Sequence, residues 1–398
     1  MPLDRRGLRD RLHLARESFV DLLVAGLGGE VKAEIRLLSS KRVATLKASL
    51  RQAAGVPPSE QCLLHEGAVL RDAGDLRSLM KQALGAQRLF VTLVRVRRQL
   101  VLSGSRDHRL ILWDLERAEC VRELEGHGGA VQCAAVHWGS KRALSGGHDG
   151  SLQLWDLESG SALRTYRNPG RWVRCVAVDW TSGWAVAGRE DARLQLWNLH
   201  HAVHAVAELR GHEDLVQCVS LHVASLRAAS GSDDCTVRIW CLRRGAAQQE
   251  LRGHRSGVHC LAVDWEADRA LSGSHDGSLV LWDLGRGAEL RRFQANGGWV
   301  RCVSVDWRGL RALSGSEDGK LRLWDLRGGE PAGASQQPQE LAGHSGAVQC
   351  VCADWDQHRA VSGSDDCSLL VWDLGARRAD GLLRGHRSSI RSVAAMWS

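Results

Sequence analysis

Seven tryptophans that recur between residues 113 and 372 constrain this chain more than any other feature. They are separated by 42, 42, 43, 42, 42 and 48 residues, and an aspartate stands six residues before each one. The residue after the tryptophan is aspartate in five of the seven copies. Two residue types held at one spacing through seven copies indicate a repeated supersecondary unit. The chain is therefore expected to form an array of small units.

Each copy has the pattern of two short strands joined by a tight turn. In residues 142–157, RALSGGHDGSLQLWDL, apolar and polar residues alternate on both sides of a His-Asp-Gly turn. Such alternation is typical of half-buried strands, and glycine and serine suit the backbone angles of tight turns. The repeats thus predict an all-β array.

With this period and the recurring Trp-Asp pair, residues 99–398 resemble the WD40 family. The resemblance implies a seven-bladed all-β propeller. It also implies a buried hydrogen-bonded set in each blade, made of a Gly-His histidine, the turn aspartate, a serine or threonine and the tryptophan. Five blades carry the histidine, aspartate and tryptophan: His127, Asp149 and Trp155; His212, Asp234 and Trp240; His254, Asp276 and Trp282; His344, Asp366 and Trp372; and His386, Asp107 and Trp113. We interpret these histidines as structural and favour that role over a metal-binding or catalytic one.

Two copies depart from this pattern, because the third and sixth have Pro169 and Asn296 where the others have histidine. The two ends of the array complement each other. The first Trp-Asp copy lacks a Gly-His pair and an inner strand, and residues 384–398 supply both. We expect residues 390–397 to complete the first blade and His386 to pair with Asp107. A closed ring hides sheet edges that would otherwise be exposed.

Copies two to four also repeat copies five to seven. RWVRCVAVDW in the third copy matches GWVRCVSVDW in the sixth, which makes Trp172 and Trp299 equivalent, each with Arg174 or Arg301 two residues later. The resemblance places these tryptophans on the narrow propeller face, which WD40 proteins use most often for partners. A tryptophan beside an arginine is a typical binding hot spot. The alternative is that these tryptophans fill the space left by the missing histidine.

The residue before each turn aspartate is expected on the same face. These residues are Arg106, His148, Glu190, Asp233, His275, Glu317 and Asp365. Their mixed charge suits a protein or peptide better than nucleic acid, because a phosphate backbone favours a uniformly basic rim. For any one of them, a solvated turn residue is the alternative.

Residues 19–98 have a different pattern, preceded by a basic segment, 1–18, that we expect to be a flexible tail. Two extended segments come first, then a helix over 43–54 with Leu46 and Leu50 four residues apart, then strands near 62–64 and 89–96. The stretch 55–79, GVPPSEQCLLHEGAVLRDAGDLRSL, resembles ubiquitin, and this resemblance implies a small α+β β-grasp domain.

The resemblance to ubiquitin has limits that bear on function. Ubiquitin's Gly-Gly tail is absent, so we expect a fixed domain and not a conjugated modifier. The centre of ubiquitin's apolar recognition patch falls on Leu64, with His65 beside it. The alternative for Leu64 is a semi-exposed strand residue without a partner.

Composition excludes several classes of function. Residues 1–98 hold 18 basic and 10 acidic residues, so the net charge of +7 belongs to this part and the repeats are close to neutral. No apolar stretch is long enough to span a membrane. Six of the twelve cysteines recur at one inner-strand position, which favours packing in a reducing compartment. We expect a cytoplasmic protein, with the nucleus as the alternative, and no disulfide, metal or cofactor.

These patterns together predict a non-enzymatic scaffold or adaptor. The propeller face would bind a protein or peptide, the ubiquitin-like domain would dock ubiquitin–proteasome components, and the chain would be a monomer within a larger complex. The alternative is a ribosome-assembly factor, because such factors also join a ubiquitin-like N-terminal domain to a WD40 propeller and recruit an ATPase through it.

Overall fold

The chain folds into two compact units. The computed structural model describes residues 19–25, 31–38, 43–54, 61–65, 68–69, 88–95 and 99–397, and in the last range it leaves out 168–170, 202–203, 296–297 and 328–336. One unit contains the described residues before Gln99, and the other spans Gln99–Trp397. All seven tryptophan repeats lie in the second unit.

The first unit is a mixed sheet with one helix in its described part. Its elements are β1 (Phe19–Ala25), β2 (Val31–Leu38), α1 (Val43–Ala54), β3 (Gln61–His65), β4 (Ala68–Val69) and β5 (Arg88–Arg95). The sheet order is β2-β1-β5-β3-β4, with β1 antiparallel to β2 and parallel to β5. Leu46 and Leu50 are fully buried, so the predicted i, i+4 pair is the packed face of α1. The short hairpin strand β4 was not predicted.

The second unit is a ring of seven antiparallel sheets of four strands, or blades, numbered here by their repeat tryptophans. Blade 1 contains β6 (Leu100–Ser105), β7 (Leu110–Asp114), β8 (Glu119–Leu124) and, as its inner strand, β33 (Ile390–Met396). From the inner strand outward, the others are blade 2, β9 (Val131–His137), β10 (Arg142–Gly147), β11 (Ser151–Asp156) and β12 (Ala162–Arg167); blade 3, β13 (Val173–Asp179), β14 (Trp184–Arg189), β15 (Leu194–Asn198) and β16 (Ala207–Leu209); blade 4, β17 (Val216–His222), β18 (Arg227–Ser232), β19 (Thr236–Cys241) and β20 (Ala246–Arg252); blade 5, β21 (Val258–Asp264), β22 (Arg269–Ser274), β23 (Ser278–Asp283) and β24 (Ala288–Gln294); blade 6, β25 (Val300–Asp306), β26 (Arg311–Ser316), β27 (Lys320–Asp325) and β28 (Gln339–Ala342); and blade 7, β29 (Val348–Asp354), β30 (Arg359–Ser364), β31 (Ser368–Asp373) and β32 (Arg378–Arg384). The predicted seven-bladed all-β propeller is confirmed.

The ring closes through the two ends of the repeat array. β33 runs antiparallel to β6, with Ile390 opposite Ser105 and Met396 opposite Leu100. The inner strands contact one another around the ring, and β33 lies between β29 and β9. One blade is therefore built from both ends of the array, and this pairing gives every blade its inner strand.

Adjacent blades approach closely at a glycine in the second strand. A Cβ atom at Gly146 would lie 2.5 Å from Cγ1 of Val173 and 2.9 Å from Sγ of Cys133, so no larger residue fits there. The same contacts surround Gly188, Gly231, Gly273, Gly315 and Gly363. The glycines thus let the next blade approach, and the thiols of Cys175, Cys218 and Cys302 reach a backbone carbonyl oxygen of that blade. Burial raises the pKa of Cys175 and Cys302 to about 12, so these thiols stay neutral.

Candidate functional site

The antiparallel blades place different connections on opposite faces of the propeller. Successive strands reverse direction, so the turn between the second and third strands and the connection to the next blade share one face. We call it the upper face and the opposite one the lower face. Trp172, Trp299 and the residues before the turn aspartates all lie in these upper connections.

Beneath the upper face, blade 2 contains a chain of side-chain hydrogen bonds. Nε1 of Trp155 donates to Oγ of Ser145 at 2.7 Å, and this oxygen lies 2.7 Å from Nε2 of His127. Nδ1 of His127 lies 2.9 Å from Oδ2 of Asp149. An ionised carboxylate only accepts, so Nδ1 carries the proton and Nε2 accepts from the serine. The chain runs in one direction, from indole to carboxylate.

The same set, which we call the tetrad, occurs in four further blades. Its members are Trp113, Ser103, His386 and Asp107 in blade 1; Trp240, Ser230, His212 and Asp234 in blade 4; Trp282, Ser272, His254 and Asp276 in blade 5; and Trp372, Ser362, His344 and Asp366 in blade 7. In blade 1, Nδ1 of His386 lies 2.9 Å from Oδ2 of Asp107, which joins the two ends of the array. Each histidine uses both ring nitrogens inside its blade, which leaves neither for a metal or a substrate.

The tetrad aspartates are charged ends held by several donors. Asp276 accepts from His254, from the hydroxyl of Ser278 at 2.6 Å and from the backbone N–H of Arg255 at 2.8 Å. Burial raises the pKa of the five tetrad carboxyls, but the histidine, hydroxyl and backbone donors outweigh it and hold the pKa below the ordinary 3.8. These carboxyls are therefore ionised at neutral pH.

Blade 6 satisfies its turn aspartate with an arginine. Nη2 of Arg322 lies 2.5 Å from Oδ2 of Asp318 and 2.8 Å from Oε1 of Glu340. Trp324 still donates to Ser314 at 2.8 Å. A guanidinium thus takes over the neutralising part of the histidine's role, while the indole–serine bond of the tetrad remains.

Blade 3 departs further from the tetrad. Its turn aspartate, Asp191, pairs with the buried Arg189 at 3.1 Å. Ala187 stands where the other six blades have the buried serine, and Nε1 of Trp197 has no hydrogen-bond partner among the described residues. A buried indole N–H without an acceptor is destabilising, so blade 3 is the weakest version of the set.

Trp172 and Trp299 are half-exposed aromatic surfaces on the upper face, with 43% and 40% of their surface accessible. Trp172 stacks on His148 with ring centroids 4.0 Å apart, and its backbone N–H donates to Glu190 at 3.1 Å. Trp299 stacks on His275 with centroids 4.1 Å apart. Each ring thus packs on a histidine while much of its surface stays accessible, so packing and a binding role are compatible.

A second set of residues surrounds the centre of the upper face. We call it the inner ring, and it consists of the second residue of each inner strand: Arg391, Gln132, Arg174, Gln217, His259, Arg301 and Gln349 for blades 1 to 7. The residues before the turn aspartates, defined above, form the turn ring outside it. Sequence reasoning found only Arg174 and Arg301. Aligning the seven inner strands position by position would have found the other five.

The glutamines join the two rings within their own blades, in the pairs Gln132–His148 at 2.7 Å, Gln217–Asp233 at 2.7 Å and Gln349–Asp365 at 2.8 Å. Two arginines extend these pairs to the neighbouring blade. Arg174 donates to Gln217 at 2.9 Å, and Arg391 donates to Gln349 at 2.7 Å. The centre of the upper face therefore carries three polar pairs, two of which are linked to a neighbouring blade.

Arg301 breaks the symmetry between the two half-exposed tryptophans. Its guanidinium carbon lies 4.6 Å from the ring centroid of Trp299, and its Nη2 is 3.9 Å from Glu317. The equivalent Arg174 points instead to the next blade. Trp299 thus carries a cation–π contact in addition to its stacking.

The histidines of the turn ring are neutral at pH 7. Burial, followed by the charge of Arg174, lowers the pKa of His148 to about 4. Burial and the charge of Arg301 do the same for His275, again to about 4. The tryptophans therefore stack on uncharged aromatic rings at neutral pH.

Both units match known families. The model of the WD domain, G-beta repeat, matches residues 118–156, 160–198, 204–241, 245–283, 287–325 and 335–373, which together cover more than half of the chain. The chain is a member of the WD40-repeat family. The model of the ubiquitin family matches residues 22–84. No curated protein matches the chain.

The six WD40 matches and the seven blades describe the same propeller. Each match starts at or near the outer strand of one blade and ends on the third strand of the next. The strands left over are β32 and β33 at one end of the array and β6 and β7 at the other. They form the seventh WD40 unit, divided between the two ends.

Some predicted residues lie outside what the structure describes. Leu64 and His65 belong to β3, with Leu64 opposite Thr92 of β5, but their side chains are outside the described part. Pro169 and Asn296 are outside the described residues altogether.

The described residues contain neither a candidate membrane-spanning helix nor a candidate metal site. No helix there is long and apolar enough to cross a membrane. No group of three or more histidine, cysteine, aspartate or glutamate side chains in the same part of the chain could hold a metal ion.

Proposed function

We propose that this WD40 protein is a non-catalytic scaffold that joins two partners. The upper face of the propeller binds a protein or peptide. The ubiquitin-like unit docks a second protein, from the ubiquitin–proteasome machinery that recognises ubiquitin folds. The proposed compartment is the cytoplasm or nucleus, where free thiols stay reduced.

The pair of half-exposed tryptophans on the upper face supports a docking role best. Each lies flat on a neutral histidine, so its ring is already ordered before a partner binds. A rigid aromatic side chain contributes a large contact area at a small cost in conformational entropy. Trp172 and Trp299 are thus suited to anchor a partner.

The charges around these tryptophans favour a protein over nucleic acid. The turn ring holds four carboxylates, and Arg106 is its one arginine. An extended phosphate backbone crossing this ring would meet like charge, whereas a peptide can place single charges where they are matched.

Burial and bonding of reactive side chains support the absence of catalysis in this proposal. WD40 propellers are typically binding platforms and not enzymes. The five tetrad histidines have both nitrogens engaged, and burial raises the pKa of the inner-strand cysteines, which keeps their thiols unreactive.

Loss of both upper-face tryptophans tests the docking surface. Tagged full-length protein with Trp172→Ala and Trp299→Ala would be compared with the wild type by affinity purification and quantitative mass spectrometry. Leu163→Ala with Leu290→Ala is the matched control, because these leucines are 48% and 49% exposed on outer strands. We expect the tryptophan variant to lose propeller partners and the control to keep them. Unchanged partners in a folded tryptophan variant would contradict the proposal.

Deletion of residues 1–98 assigns partners to the other unit. Proteins lost on this deletion, but kept by the double tryptophan variant, dock on the ubiquitin-like part. Ubiquitin receptors, ligases or deubiquitinases among them would support the proposal. Pre-ribosomal particles and an ATPase would favour the ribosome-assembly alternative instead.

A further inference from the structure

We propose that the upper face holds its partner through one anionic group, the carboxylate or phosphoryl oxygens of a single acidic or phosphorylated residue. The site lies at blade 1, between Arg391 of the inner ring and Arg106 of the turn ring. This inference rests on the proposed function, because it gives a chemistry to the partner of the same face.

Blade 1 differs from the other blades in the charges of its inner-ring and turn-ring residues. In blades 3 and 6 an inner-ring arginine shares its blade with a turn-ring glutamate, and in the remaining four blades the inner-ring residue is an uncharged glutamine or a histidine. Blade 1 alone combines arginine with arginine. Neither ring of blade 1 supplies a carboxylate, and the carboxylate nearest Arg391, that of Asp365 at 3.7 Å, belongs to blade 7.

Arg391 and Arg106 differ in burial and in how firmly their side chains are held. The side chain of Arg391 is 12% exposed and is fixed by Gln349 at 2.7 Å, and its buried Nε has no hydrogen-bond partner. Arg106 is exposed, and its side chain makes no hydrogen bond or ion pair with the residues that the structure describes. A fixed guanidinium at the base and a movable one at the rim suit an oxyanion, which accepts several charge-assisted hydrogen bonds.

The surroundings of Arg391 also favour an anion. Burial and the charge of Arg106 lower the pKa of Arg391 to about 10, and Arg174 and Arg301 act in the same direction. Asp365 lies 3.7 Å from Nη2 of Arg391, but it already accepts from Gln349 and Ser389. An incoming anion would relieve the repulsion among the guanidinium groups without displacing these bonds.

The turn ring limits the anion to a single group. Glu190, Asp233 and Glu317 lie on the turns of blades 3, 4 and 6, away from blade 1. A single charged side chain that enters at blade 1 meets Arg106 and Arg391, and the one carboxylate beside them, Asp365 of blade 7, is already bonded to Gln349 and Ser389. A polyanion laid across the face would pass the other three carboxylates as well. The half-exposed tryptophans are then available for the apolar residues of the same peptide.

Peptide libraries test this chemistry on the full-length protein. Four degenerate libraries of equal length would differ only in a fixed central residue: phosphoserine, glutamate, serine or lysine. We expect enrichment of the phosphoserine or glutamate library over the serine library, and the better of the two identifies the natural anion. Arg106→Gln should lower this enrichment about tenfold, and Arg391→Gln at least as much. Arg117→Gln is the matched control, since Arg117 is exposed on the lower face of the same blade.

The outcomes separate this inference from the function on which it rests. Equal enrichment of the serine library, stronger enrichment of the lysine library, or acidic enrichment that survives Arg106→Gln would each overturn the anion site. Stronger competition by a single-stranded oligonucleotide than by the phosphoserine library would overturn it too. Because Arg106 is exposed, its variant remains informative if Arg391→Gln fails to fold. Loss of cellular partners in the tryptophan variant, without acidic enrichment, would leave the docking proposal standing and remove the anion.

Discussion

The neighbouring blades 5 and 6 bond the same turn aspartate through different side chains. Both bury a tryptophan that donates to a serine, and both have an aspartate at the same turn. In blade 5 a buried imidazole links the serine to Asp276, whereas in blade 6 Arg322 reaches Asp318 from the third strand. The comparison shows that the aspartate and the indole–serine bond are separable. The turn aspartate can be satisfied by either a histidine or an arginine, and the indole–serine bond forms without the histidine.

Blade 3 extends the comparison, because it has lost both features. Its turn aspartate pairs with Arg189, and Ala187 replaces the serine that would accept from its tryptophan. Blades 5, 6 and 3 thus form a series in which the hydrogen-bonded set is complete, rearranged and incomplete. The stability of the propeller should respond differently to changes in each.

Removal of the central donor should have the largest effect, and more in blade 5 than in blade 6. His254→Ala leaves a cavity and strands the buried Ser272 and the carboxylate of Asp276, so we expect a loss of about 3 kcal/mol in the free energy of unfolding. Arg322→Ala should cost about 2 kcal/mol, because its partners Asp318 and Glu340 are 26% and 43% exposed and can be hydrated. Urea unfolding measures both. A larger loss in blade 6 would reverse the comparison.

Acid should reveal the charged end of the tetrad. The folded pKa of Asp276 lies below 3.8, so its ionisation stabilises the fold above that pH, and this stabilisation is lost as the pH falls through 3.8 toward the folded pKa. Asp276→Asn should therefore destabilise by about 2 kcal/mol at pH 7 and by progressively less as the pH falls below 3.8. Urea unfolding across this pH range checks it. A difference between the two proteins that does not shrink in acid would show that the loss is not electrostatic.

The missing serine of blade 3 gives a prediction of opposite sign. Ala187→Ser should supply the acceptor for Trp197 and raise the free energy of unfolding by about 1 kcal/mol. The reverse change in blade 6, Ser314→Ala, leaves Trp324 in the state now found for Trp197 and should cost about 1 kcal/mol. Thermal unfolding of both variants and of the wild type measures these changes. No gain in blade 3 would mean that another group satisfies the indole there.

These contrasts also show what could be predicted from the sequence. The seven blades and the five tetrads were readable because Trp, Asp and His recur at fixed spacings, and a fixed spacing maps to a fixed place in a repeated unit. The exchange in blade 6 was not readable. Arg322 stands two residues before Trp324, where other blades have Gln153, Gln195 or Leu370, and only the fold shows that it reaches Asp318.

The inner ring was missed for a related reason. Gln217, His259 and Arg391 belong to no motif, and their importance comes from their position where seven inner strands meet around one axis. A linear pattern separates them by more than forty residues, so their hydrogen bonds and mutual repulsion appear only after the ring has closed. In the first unit, the helical period predicted α1 with its bounds, whereas the two-residue β4 was too short to carry any period.

The smallest expected effect distinguishes the two half-exposed tryptophans. Trp299 has a guanidinium 4.6 Å from its ring centroid, whereas Arg174 turns away from Trp172 to Gln217. A double-mutant cycle on Trp299→Ala and Arg301→Met should give a coupling of about 0.5–1 kcal/mol in the free energy of unfolding. The matched cycle on Trp172→Ala and Arg174→Met should give a coupling near zero. Equal couplings would mean that the two copies hold their tryptophans alike, because the cation–π contact would then add nothing measurable to the stacking on histidine.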